Sequence, residues 1–186
     1  MKGLVHRDIK PANIYVCRMG LEYDFVKVLD FGLVKLEHAG SRGSGRASAV
    51  MGTPAYMAPE VILGEAADRR VDVYGLGCVA YYLLTGERVF DSLTPMRTMV
   101  KHVQETPRPP SSRAPHPVPA AVDALVLACL AKDPEQRPRD GEAVYEMVRA
   151  CASREWDGRS AREWWEEYLP DLARAPMPRP FQAAAC

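Results

Sequence analysis

The sequence has no excess charge of either sign: Lys+Arg and Asp+Glu both total 24 in 186 residues, for a formal net charge of zero. With no global field, nothing recruits nucleic acid or an anionic membrane by charge alone, so neither is expected as a partner. Paired metal or disulfide spacing is lacking too. The five cysteines (Cys17, Cys78, Cys129, Cys151 and Cys186) are scattered without a C-x-x-C pair, and the four histidines show no ligand spacing. That predicts buried thiols in a reducing compartment, not a disulfide framework or a zinc site. No charged-then-apolar leader opens the sequence, so no secretion signal is expected. The longest apolar run, Val71 to Leu84, contains Asp72 and is too short to span a bilayer. The expectation is a soluble, cytoplasmic domain. What is present supports a sizeable core: 47% of residues are hydrophobic and 26% charged, as in ordinary globular proteins.

The chemistry concentrates at the start, in His6-Arg7-Asp8-Ile9-Lys10-Pro11-Ala12-Asn13. A carboxylate can orient a hydroxyl, a lysine can hold phosphate charge, and an amide oxygen can ligate magnesium. Eight polar-rich residues can equally be a turn entering a strand. Ile14–Cys17 and Phe25–Leu29 read as two short strands of a hairpin, with Gly20 and Asp24 in the turn. The second strand delivers Asp30-Phe31-Gly32, where a carboxylate at a strand end precedes a glycine that lets the backbone turn sharply. Asn13 and Asp30 would then converge as oxygen ligands; an ordinary turn after a strand is the alternative.

Residues 37–50 are rich in Gly, Ser, Arg and Ala without periodicity and read as a mobile loop. Val61-Ile62-Leu63 before Gly64 suggests a short helical turn and its stop. Val71 to Thr85 is apolar nearly all round, which predicts a buried central helix ended by Gly86. Within it Gly75-Leu76-Gly77-Cys78-Val79-Ala80 matches a relaxed dinucleotide fingerprint, but no strand precedes it, so close helix packing is the expected reason for the glycines. Thr94-Pro95 opens a helix to about Val103. The proline-rich stretch 107–119 reads as an extended surface connection, or less simply as a proline-motif ligand.

Two further helices follow, one placing Val122, Leu125, Val126, Cys129 and Leu130 on one face, the other Val144, Met147, Val148 and Cys151. In the tail, Ser160 and Glu163 form an S-x-x-E capping box. Trp164, Trp165, Tyr168 and Leu169 are expected on one side of a docking helix, with disorder beyond Pro170.

In this order and at this spacing, H-R-D-x-K-x-x-N, D-F-G, G-T-x-x-Y-x-x-P-E from Gly52 to Glu60, the helix starting near Asp72 and K-D-P-x-x-R-P at 132–138 resemble the C-terminal lobe of a serine/threonine protein kinase. The bacterial kinases of eukaryotic type are the most similar. The resemblance covers residues 3 to about 153 and implies a mainly α lobe with a short β-hairpin (residues 1–153), followed by a tail (154–186). It implies ATP and Mg2+ as cofactors and proteins with Ser/Thr acceptors as substrates. Asp8 would accept or orient the hydroxyl proton, Lys10 would neutralise the transferring phosphoryl group, and Asn13 and Asp30, the latter with Phe31 and Gly32, would hold two magnesium ions. Lys10 marks the serine/threonine class, and the Thr53 hydroxyl would bridge Asp8 and Lys10. Glu60 would pair with Arg137, Asp72 would hydrogen-bond the backbone at His6-Arg7, and His6 would pack rather than react. Arg7 would bind a phosphate on the activation loop, with Ser44 or Ser48 as the expected switch and Ser41 also available.

The family's N-terminal lobe, with its Gly-rich loop, its V-A-I-K lysine and the glutamate helix, has no counterpart in these residues. The expectation is therefore a kinase lobe that holds ATP poorly alone and whose Met1 is internal to a longer kinase. Its partners would include that lobe or another kinase. The alternative is a non-catalytic module that docks kinases or their substrates.

Overall fold

A computed structural model of the chain describes residues 5–30, 52–151 and 156–174. It is mainly helical with one two-stranded sheet, as the sequence predicts. The strands are β1 (Ile14–Met19) and β2 (Glu22–Val28), and the helices are α1 (Pro59–Leu63), α2 (Arg70–Thr85), α3 (Pro95–Gln104), α4 (Ala120–Cys129), α5 (Gly141–Cys151), α6 (Gly158–Tyr168) and α7 (Pro170–Arg174). The chain groups into two compact units. One combines residues 1–13 with 28–152, and the other combines 14–27 with 153–186.

The larger unit is built on α2. Tyr74, Cys78 and Tyr81 of this helix are at most 1% exposed, and they join Val126, Cys129 and Leu130 in one apolar cluster. The glycines explain how closely α4 approaches: a Cβ on Gly77 would lie 2.8 Å from that of Cys129. Close packing is thus the reason for the G-x-G spacing. Gly86, at φ 73°, ends α2 with its N–H on the Tyr82 carbonyl. The helix is not buried all round, however. Leu83 is 75% exposed, because the apolar run supplies more greasy surface than the neighbouring elements cover.

Start and stop signals fare well elsewhere. The Thr94 hydroxyl caps α3 by accepting from the Arg97 N–H, Gly64 ends α1 in the left-handed region, and Asp140 accepts from the Ala143 N–H at the start of α5. On α5, Val144 is buried but Val148 is half exposed, so the predicted apolar face is narrower than its spacing suggests. The 107–119 connection is interrupted by a 3-10 turn at Pro110–Ser112, whose Pro110 is buried, and by a bend at residues 115–116. Of the thiols, Cys78 and Cys129 are buried, whereas Cys17 and Cys151 are intermediate.

The smaller unit joins the hairpin to the tail helices and departs most from expectation. Its turn is only Gly20-Leu21, so β2 begins at Glu22 and Asp24 lies within the strand, at φ 56°. The cap of α6 is Asp157, whose carboxylate accepts from the Ser160 N–H; Ser160 is already inside the helix, and Glu163 pairs with Arg159 instead. The aromatics divide. Trp165 is 4% exposed, while Trp164 and Tyr168 lie against each other on the outer side. Pro170, predicted to precede disorder, starts α7 as a first-turn proline.

Candidate active site

The loop at residues 6–13 is held from below by the central helix. Asp72, in the first turn of α2, accepts the His6 N–H at 2.7 Å and the Arg7 N–H at 2.6 Å, one on each carboxylate oxygen. These bonds fix Arg7 at φ 68°, a left-handed conformation that costs a non-glycine residue about 1–2 kcal/mol. The Arg7 side chain is exposed and His6 is buried, with Nε2 2.8 Å from the Leu29 carbonyl. Gly75 makes room for the loop, since a Cβ there would stand 3.0 Å from both the Cβ and the carbonyl oxygen of Ile9.

On this floor four of the predicted residues meet. The Lys10 ammonium lies 2.7 Å from Asp8 Oδ2 and donates to Thr53 Oγ1 at 3.0 Å. Asn13 Nδ2 donates to the Asp8 carbonyl at 2.9 Å and to Asp8 Oδ2 at 3.1 Å. Thr53 is followed by the 3-10 turn Pro54–Tyr56, yet its hydroxyl serves Lys10 rather than capping that turn. The Asp8 carboxylate is 34% exposed, so it remains accessible to a second molecule. Asp30 comes from the far foot of the hairpin, which is closed by the Leu29 N–H on the Asn13 carbonyl at 2.9 Å. It too is left-handed, at φ 62°. Residues in such sparsely populated backbone regions cluster where structure over-determines them. Phe31, Gly32, Ser41, Ser44 and Ser48 lie outside the described residues.

Glu60 and Arg137 are a separate feature. The guanidinium grips both Glu60 oxygens, at 2.7 and 2.8 Å, and its other donors serve the carbonyls of Ala131, Arg70 and Lys132. It also lies over the Tyr74 ring. Sequence reasoning missed the layer beside this pair. There the Tyr74 hydroxyl is 2.8 Å from Nδ1 of the buried His102, and Lys132 donates to the His102 carbonyl. Burial first, and then the Lys132 charge, bring the His102 pKa down to about 4; burial likewise brings Lys132 down to about 8. His102 sits on the buried side of α3, a signal legible only once its neighbours are known.

These elements define a helical lobe that presents a strained, partly open Asp–Lys–Asn–Thr cluster, and residues 1–149 match the protein kinase domain family. The chain belongs to that family. It is 42% identical over 176 residues to the serine/threonine-protein kinase Pkn1 of Myxococcus xanthus, an alignment covering 95% of this chain and 25% of the relative. Against pkn3 of the same organism the identity is 42% over 151 residues, covering 80% of the chain and 28% of the relative. PknB of Mycobacterium tuberculosis (strain ATCC 25618 / H37Rv) is 43% identical over 135 residues, covering 73% and 21%. The chain thus spans about a quarter of the length of the curated relatives it matches. All three are named serine/threonine-protein kinases.

Proposed function

We propose that this chain carries the phosphoryl-transfer centre of a serine/threonine protein kinase, moving the γ-phosphate of ATP to a Ser or Thr hydroxyl of a protein substrate. The observation that supports this most is the linkage of Asp8, Lys10, Asn13 and Thr53 through short polar contacts on a floor anchored by Asp72. The donor set suits Mg2+. Asn13 commits its Nδ2 to Asp8, which leaves Oδ1 for a cation, and Asp30 adds a carboxylate; hard oxygen ligands are what this ion takes. Among the described residues no three His, Cys, Asp or Glu side chains gather as a metal site. An ion that completes its shell with phosphate oxygens and water needs fewer protein ligands. When bound, Mg2+ would neutralise charge that builds on the phosphate oxygens.

The chain's own residues then have distinct tasks. Asp8 orients the substrate hydroxyl and receives its proton as the oxygen bonds to phosphorus and the bond to the ADP oxygen breaks. Lys10, steadied by Thr53, holds negative charge on the phosphoryl oxygens. Arg7, exposed beside Asp8, would receive a phosphate carried by Ser44 or Ser48. Cover for the ATP phosphates would come from an N-terminal lobe, encoded with this segment or carried by another kinase. Residues 1–153 are taken as the kinase lobe and 154–186 as its tail. A cytoplasmic setting suits protein substrates; among the described residues no helix is long and apolar enough to cross a membrane.

The test is transfer of labelled phosphate from Mg-ATP to a Ser/Thr-containing protein. Asp8→Asn should lower the rate by about a thousandfold or more while leaving the thermal midpoint unchanged. Retained transfer would refute the role of Asp8, whereas no transfer by the wild type with an N-terminal lobe supplied would favour the non-catalytic docking reading.

A further inference from the structure

The smaller unit contains an arrangement that phosphoryl transfer by itself does not require. Asp24 sits inside β2 at φ 56°, yet its carboxylate is fully engaged by the tail. Oδ2 accepts from Trp156 Nε1 and Oδ1 from Trp165 Nε1, each at 2.7 Å. The Tyr23 ring meets Trp165 edge-on, with centroids 6.0 Å apart. On β1, the Arg18 guanidinium lies over Tyr23 and donates to the Ala173 carbonyl of α7. A two-stranded hairpin is marginal in water unless a helix packs on it. No residue of 14–27 belongs to the apolar cluster of the larger unit, whereas Ala161, Trp165 and Ala173 of the tail are each at most 5% exposed. By chain continuity, the feet of this hairpin are Asn13 and Leu29-Asp30. The similarity to Pkn1 covers 176 residues and so runs past the end of the kinase-domain match at residue 149.

We propose that the tail is a positioning element of the active site: α6 and α7, buttoned to Asp24 through Trp156 and Trp165, order the hairpin and thereby set its two metal-ligand feet. The second clause rests on the kinase reading; the first does not. Asp24 is a positioning residue that touches no substrate. Its left-handed backbone is one that glycine and, less readily, aspartate adopt, and of the two only aspartate offers acceptors to the paired indoles.

Hydrogen exchange on the whole chain tests this. Trp165→Ala should speed exchange of the amides of residues 14–28 and of Leu29 by about tenfold or more, with α2 and α4 amides unchanged. Trp164→Ala, on the outer side of α6, should leave them within about twofold. Asp24→Gly separates acceptor from backbone. It relieves the left-handed strain, so slower hairpin exchange would mean that Asp24 serves its own turn and would overturn the proposal, whereas faster exchange supports it. Unchanged hairpin exchange in Trp165→Ala would also overturn it. A Mn2+ titration in the presence of ATP gives the functional readout: Trp165→Ala should weaken Mn2+ binding by about threefold or more. Equal Mn2+ binding in wild type and variant would refute the positioning clause. A lobe without its N-terminal cover is expected to hold ATP poorly, so where the wild-type chain binds no Mn2+–ATP, exchange at Leu29 decides the clamp.

Discussion

Two ion pairs in the larger unit have the same closest approach, 2.7 Å, and opposite surroundings. Arg137 and Glu60 have side chains 0% and 4% exposed, and every guanidinium donor finds an acceptor. Lys10 and Asp8 are 22% and 34% exposed and are flanked by strained backbone at Arg7. A buried, saturated pair cannot take on a new partner, so it can only hold structure. An open pair with an accessible carboxylate can exchange partners, as a reacting site must. Charge pairing alone therefore says nothing about role; solvent and spare valence decide it.

The sharpest way to break the contrast is Arg137→Ala. It strands a buried carboxylate and should cost about 3–5 kcal/mol of unfolding free energy, read as a drop in the urea midpoint. A loss under about 1 kcal/mol would show that the pair is wetter than its geometry states. Next comes acid, acting on His102 in the same buried layer. Its folded pKa of about 4 lies below the ordinary 6.5, so between these values the unfolded chain takes a proton that the folded chain refuses. Stability should fall by at most about 3 kcal/mol as pH drops through that window, and His102→Gln should flatten this slope. Smaller again is Gly75→Ala. A methyl 3.0 Å from Ile9 must push the loop upward, costing about 1–2 kcal/mol and lowering phosphoryl transfer more than stability. Least of all, Lys10→Met should change stability by under about 0.5 kcal/mol, since an exposed pair contributes little, while transfer is lost. A large stability loss there would erase the distinction between the pairs.

Local signals carried most of the larger unit. The Thr94-Pro95 cap, the stop at Gly86 and the Val122–Leu130 face rely on neighbours within a few residues, so they are legible in order along the chain. The Asp8, Lys10, Asn13 and Thr53 cluster was legible for another reason: three of its four groups lie within six residues, in a motif that the kinase family carries in the same order. The tail was not. Asp157 rather than Ser160 caps α6, a choice between two polar residues three apart, and Asp24 leaves the expected turn for the strand, where Trp156 and Trp165 reach it from more than 130 residues away. No window of sequence contains that pairing. Leu83 shows the opposite error. Its run is apolar enough for a core, but hydrophobicity records what could be buried, not what the folded chain covers.

The two thiols flanking the tightest helix contact give the fold a built-in stopwatch. Cys78 and Cys129 are 1% exposed, and burial pushes both thiols upward, to about 11 for Cys129 and higher for Cys78. An alkylating reagent meets neither a surface nor a thiolate while α2 and α4 stay together. Each molecule modified at Cys78 or Cys129 is then one whose helices parted, and the rate of labelling at these two thiols, read apart from that at the more exposed Cys17 and Cys151, counts those partings without any engineered probe.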